Sequence, residues 1–258
     1  VVTIISIGIP FIIIHKALKK DKLSDTLPFG TVYDKKEATY LVMMFLPLMI
    51  FSAIGINYIS AFFQSIFGVE FTSSVDGISM KGLDGTAIGI IAVAFVPAIV
   101  EETAIRGIVM QPLRKFGDRF AIISSAVLFA FMHGNMVQIP YTVIGGLLLG
   151  YLAVTTGSLW PSIILHFINN FYSVLVVSLS DNFSETVSVV VTYVMLLVFA
   201  LVGVFGVVRF ARMKYRIYFN EAKSRLSAGE KIKAFVSNGP MITALVLLTL
   251  ITISNIKH

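Results

Sequence analysis

The chain has 258 residues, of which 57% are hydrophobic and only 13% charged, and its mean hydropathy is +0.89. That little charge cannot cover a soluble domain, so lipid is the solvent for most of the chain, and spans of about 20 apolar residues are the unit to count. The lack of cysteine excludes disulfides, thiolate metal sites and a cysteine nucleophile; the formal charge of +6 sits between apolar runs, the pattern of a membrane protein with no nucleic-acid partner.

The apolar runs predict an all-α, polytopic transmembrane helix bundle of about eight spans. They cover 1–18, 39–63, 86–112, 120–136, 139–156, 159–180, 187–208 and 240–256, and the whole of 1–258 reads as one integral membrane domain. The chain begins Val1-Val2, and its first run has neither a basic leader nor a small-residue cleavage site, so no cleavable signal peptide is expected. Lys16, Lys19, Lys20, Lys22, Lys35 and Lys36 follow that run, and the loop after the second span holds Glu70, Asp76 and Asp84 against Lys81. Arg114, Lys115 and Arg119 follow the third span. The fourth and fifth are short and tightly joined. Asp181 and Glu185 follow the sixth. After the seventh come Arg209, Arg212, Lys214, Arg216, Lys223, Arg225, Lys231 and Lys233. An eight-span count puts every basic loop on one side, which the positive-inside bias makes the cytoplasmic side of the plasma membrane, with both ends of the chain outside. The stretch 209–238 is expected as a connector hugging anionic headgroups, with an amphipathic helix as the alternative.

A charge at the centre of a span costs roughly 2.5–3.5 kcal/mol on insertion scales, so charges there are functional candidates. The third span holds Glu101, Glu102 and Arg106 in FVPAIVEETAIRGIVM. Glu102 and Arg106 are four apart and can pair on one helix face, whereas Glu101 points about 100° away and must find its partner on another helix. The fourth span ends FAFMHGN, with His133 four residues after Phe129; the sixth reads SLWPSIILHFINNFY, with His166 and Asn170 on one face and Asn169 slightly off it. From the basic ends of their spans Glu101, His133 and His166 lie on the order of 17, 20 and 11 Å deep at 1.5 Å per residue, so the three converge in the cytoplasmic half.

A buried carboxylate can serve as general base on water, a neutral imidazole can share that water, and a histidine with an asparagine can donate to an oxyanion. Glu101, His133 and His166 are also enough to hold a catalytic zinc. Either route hydrolyses an amide. Neither HExxH nor GxSxG is present, so zincins and serine hydrolases of the ordinary kind have no support.

The ordered set EExxxR, FxxxH and HxxxN, on separate spans, resembles the CPBP family of intramembrane proteases, which includes the CAAX prenyl endopeptidases and the bacterial Abi, or bacteriocin-processing and immunity, proteins. The matches are Glu101 to Arg106, Phe129 to His133 and His166 to Asn170, and GGLLLGYLAVTTGSLWPSIILHFINN looks like the family's run before its last motif. The resemblance covers 86–180, which it implies to be the catalytic core. It implies that Glu101 activates water with His133, that Glu102 and Arg106 position the site, and that His166 and Asn170 stabilise the oxyanion. The family has been described both as metal-independent and as metalloproteases. The reading here leans to no metal, because no further carboxylate is available near either histidine to orient it as a ligand. Gly146 and Gly150 form a GxxxG pair that lets the fifth helix approach its neighbours.

The expectation is therefore an endopeptidase acting on membrane-associated or lipid-modified polypeptides near the cytoplasmic side. Its cofactor is none, or a divalent metal such as zinc, and its surroundings are membrane lipids. The rivals are a non-catalytic immunity or binding protein, and a proton-coupled transporter relaying through Glu101 and the histidines. No internal repeat is visible, which tilts against the transporter.

Overall fold

The structure, a computed structural model, describes residues 3–20, 27–68, 70–71, 79–213, 219–220, 224, 226–254 and 256–257. The expectations attached to Val1, Val2, Lys22, Asp76, Lys214, Arg216, Lys223 and Arg225 lie outside the described residues. Nine helices form the protein among those described: α1 (Ile9–Lys20, continued upstream by a wider turn over Ile4–Gly8), α2 (Lys35–Phe67), α3 (Gly82–Phe116), α4 (Asp118–Met132), α5 (Gln138–Thr156), α6 (Trp160–Asn182), α7 (Glu185–Ala211), α8 (Ala228–Val236) and α9 (Gly239–Ser254).

Their ends follow local chemistry. Asp34 caps α2 by accepting from the amides of Lys36 (2.8 Å) and Glu37 (3.2 Å), and Gly68 closes that helix at φ 64°, a conformation that favours glycine. Asn135 accepts from the amides of Val137 (2.9 Å) and Gln138 (3.2 Å) and so starts α5, and Pro161 stands in the first turn of α6, where its missing N–H is harmless.

The fold is an all-α transmembrane helix bundle. Among the described residues five helices are long and apolar enough to cross a membrane: α2, α3, α5, α6 and α7. A sixth span results if α8 and α9, bent by 73°, count as one. The expected spans 1–18 and 120–136 are present as α1 and α4, but the apolar part of the first, Ile4–Ala17, and the 15 residues of the second are shorter than the roughly 20 that the bilayer core requires. The connector expected over 209–238 contains α8, started by a capping box between Ser227 and Glu230.

Packing turns the usual order inside out. Leu197, Leu201 and Val204 of α7 are exposed, while Glu102, Arg106, Ser125 and Ser162 are fully buried. Exposed leucine and buried charge are stable together only in lipid. The main core joins Leu41, Phe45 and Ile50 of α2 to Leu149 and Leu152 of α5 and Leu165 of α6. Small residues bring the helices close. A Cβ at Gly146 would lie 2.9 Å from Ala126 Cβ, so α5 packs directly on α4, the neighbour of the expected GxxxG contact; a Cβ at Gly203 of α7 would collide with Pro47 of α2.

Hydrogen bonds between loops define two faces. On one, Tyr33 N–H donates to Thr156 O (3.0 Å), Leu159 N–H to Pro28 O (2.9 Å) and Asn220 N–H to Asp118 Oδ2 (2.8 Å). This face gathers the segments bearing Lys35, Lys36, Arg114, Lys115 and Arg209 and is called the basic face below. On the other, Met80 N–H donates to Asp181 Oδ2 (2.7 Å) and Gly82 N–H to Asn182 Oδ1 (2.6 Å), and Glu70–Phe71 pairs antiparallel with Ile256–Lys257.

Candidate active site

The site begins in α3. Its helix widens over Ile90–Phe95 and again over Thr103–Val109, and Glu101 and Glu102 lie between these two wider stretches. Such wide turns inside α-helices often mark functional sites. Glu102 is fully buried, and its Oε1 accepts from Arg106 Nη1 (2.8 Å) and His166 Nδ1 (2.9 Å). The Glu102–Arg106 pair expected from the spacing is therefore present, and it is bonded across to α6. Arg106 Nη2 also donates to Gly146 O (3.2 Å), a carbonyl open to approach because its residue has no side chain. Glu101 faces elsewhere. Its side chain is 16% exposed, and its Oε2 lies 3.9 Å from His166 Nε2. The inter-helix partner that its orientation demanded is His166.

Phe129 is the hub of the second motif. Arg106 lies over its ring at 4.4 Å, and the rings of His133 and His166 meet it edge-on at 4.8 and 5.9 Å between centroids. His133 Nδ1 bonds the carbonyl of Phe129 at 2.9 Å, the one-turn spacing of the motif. A carbonyl can only accept, so this bond assigns the proton to Nδ1 and leaves Nε2 as the open nitrogen. The Glu102 carboxylate makes the same assignment in His166.

Asn170 reaches α3 as well. Pro97 has no N–H to give to the carbonyl four residues before it, Val93 O, and Asn170 Nδ2 donates to that oxygen at 3.2 Å. Its Oδ1 accepts from Asn169 Nδ2 at 3.3 Å. Asn170 is thus a bracket between α6 and α3, with one amide proton left to offer.

Glu101, His133, His166 and Asn170 all line one cavity of about 840 Å³, together with Asn169, Tyr141 and Thr142 and one wall of α2. Glu102 and Arg106 stand behind it. All six sequence-predicted residues are brought to one place. What spacing missed was the bond from Glu102 to His166, and with it the ground for setting a metal aside: a carboxylate does orient one of the histidines. Both imidazoles have Nδ1 held and Nε2 open, as metal-binding histidines commonly do. As placed, however, no three His, Asp or Glu side chains among the described residues come close enough to share an ion. The donor set does not fit a metal in this arrangement.

Residues 84–172 match the family model of the type II CAAX prenyl endopeptidase Rce1-like proteins. This segment belongs to the CAAX-protease family. It runs from the first turn of α3 to the middle of α6 and contains every residue of the site, and the family is one of proteases. No curated protein and no solved structure matches the chain. The CAAX-protease segment is thus a set of four helices, α3 to α6, against which α2 supplies a further wall, with α7 packed chiefly on α2 behind it.

Proposed function

We propose that the protein is an intramembrane endopeptidase that hydrolyses peptide bonds of membrane-associated or lipid-modified polypeptides. One observation carries the reading. Of two adjacent glutamates in one span, the buried Glu102 is engaged by Arg106 and His166, while Glu101 opens onto the cavity beside an imidazole. A carboxylate in that position can take a proton from water. Glu101 acts as the base, with His133 Nε2 accepting a second hydrogen bond from the same water, and the oxygen adds to the scissile carbonyl. The oxyanion is met by Asn170, through its remaining amide proton, and by His166 from Nε2. That second donation requires His166 to carry both ring protons, since Nδ1–H is already given to Glu102. When the C–N bond breaks, the proton taken by Glu101 passes to the leaving amine. No metal is needed for these steps.

The test is cleavage itself. Purified protein is incubated with a membrane proteome in parallel with its Glu101→Ala form, and new chain termini are sequenced. Termini that arise with the first and not the second are expected. Identical terminus sets from the two would remove the assignment, and an absence of termini from both would favour the non-catalytic binding protein.

A further inference from the structure

The cavity that ends on Glu101 and His166 starts near mid-depth and is walled from there by the parts of the helices lying away from the basic face. From α2 it takes residues from Met49, beside the midpoint of Lys35–Phe67, outward to Asn57, Ser60 and Gln64; from α5 it takes residues from the first, Gln138, to Leu149 near the middle. From α6 it takes His166 and then only residues nearer the opposite end, and Asn135 and Val137 of the loop on that side complete it. None of the basic-face segments 27–34, 114–118, 156–160 and 209–213 lines it. The catalytic groups sit near mid-depth, since Glu101 is close to the centre of Gly82–Phe116, so they form the floor of a cavity that rises to the other face. This differs from the expectation of cleavage near the cytoplasmic side.

The walls are chemically specific. Asn57, Ser60 and Gln64 fall three and four residues apart and share one face of α2, while Tyr58, Phe62 and Phe63 turn outward and are exposed. Across the cavity, Asn169 and Ser173 are one turn apart on α6. Polar side chains at membrane depth face water-filled space or protein, so α2 presents amides inward and aromatic rings to lipid. An extended peptide in this cavity meets donors and acceptors on both walls for backbone groups that lipid would leave unpaired.

We infer that the substrate is a polypeptide segment entering from the face opposite the basic loops, the extracytoplasmic one by charge bias, along the polar wall of Asn57, Ser60 and Gln64. The word substrate rests on the peptidase reading; the direction of access does not. The chain has no cysteine, so single cysteines report it directly. Ser60→Cys and Ser173→Cys, on opposite walls, and Ser227→Cys, before α8, are each treated with a membrane-impermeant cationic methanethiosulfonate. Each substitution exchanges one atom, and labelling after solubilisation in denaturant confirms that the thiol is present. In spheroplasts the two cavity cysteines should react and Ser227→Cys should not; in inside-out vesicles the pattern should reverse. Reaction of the cavity cysteines from the side that labels Ser227→Cys overturns the proposal, as does reaction from neither side. In the proteome assay, the reagent should abolish cleavage by Ser60→Cys and leave Ser227→Cys active; retained cleavage by fully modified Ser60→Cys removes the α2 wall from the substrate path. A protein that labels as expected but cleaves nothing keeps the direction of access and loses the peptidase reading.

Discussion

Glu101 and Glu102 are neighbours in the chain and opposites in role, because one step along a helix turns the side chain by about 100°. Glu102 is locked between Arg106 and His166 with no exposure; Glu101 meets the cavity. Glu101→Gln keeps the size of the side chain and removes the base. It should abolish cleavage while leaving the melting temperature close to that of the parent, since the amide is isosteric with the carboxyl and the side chain meets the cavity. Glu102→Ala and Arg106→Ala should behave differently. Each strands a buried partner, at roughly 3–5 kcal/mol, so both yield and thermal stability should fall along with activity. Equal thermal unfolding of all three variants would contradict the division. The placement of the imidazoles bears on the metal. Glu101, His133 and His166 do not converge as a ligand set, so cleavage should survive a strong zinc chelator, and loss restored by added zinc would show that the site closes around an ion.

At the level of elements, each motif contributes a contact to a helix other than its own. Arg106 of α3 reaches the carbonyl of Gly146 on α5; Asn170 of α6 fills the place at Val93 O that Pro97 vacates. The α4–α5 contact holds these together, and it depends on Gly146 lying against Ala126. A valine there would press on backbone at Ala126 Cα, 3.0 Å from the added Cβ. Overpacking of this kind costs about 1–3 kcal/mol. Gly146→Val should therefore lower stability by that order and also reduce cleavage, because α5 carries the carbonyl that anchors Arg106. A Gly146→Val protein with unchanged thermal unfolding and unchanged rate would show that α4 and α5 have room to part.

For the whole molecule, the loops sort by charge and by hydrogen bonding onto the same two faces. The opposite face carries Asp181 and Glu185 beside the stitched segment at Met80; the basic face carries Lys35 and Lys36. The positive-inside bias predicts that the basic face is the cytoplasmic one. Cysteines at Ser184, the cap of α7, and at Lys36, in the first turn of α2, test the orientation outside the cavity. The first should label with an impermeant maleimide on intact spheroplasts and the second only after permeabilisation. The reverse would turn the protein over and bring the cavity to the cytoplasm, and labelling of both would mean that α2, α3, α5, α6 and α7 do not all cross as described.

Composition alone was enough to place this chain in lipid, because the cost of burying or exposing the wrong surface is summed over hundreds of residues and no local detail can reverse it. The helical positions of Glu102 and Arg106, and of His133 with Phe129, were equally legible, since a partner four residues away is set by helix geometry. Spans were less so: α1 and α4 are apolar but short, and hydropathy does not measure where a helix stops. The bond from Glu102 to His166 joins residues 64 apart, and the one from Asn170 to Val93 joins residues 77 apart. Neither has a periodic signature, because which side chains meet across helices depends on how closely Gly146 and its like let the helices approach. The direction in which the cavity opens was also left to the tertiary structure. It is a property of five helices, α2 to α6, whose walls part toward one face and close toward the other, and no single stretch of sequence contains it.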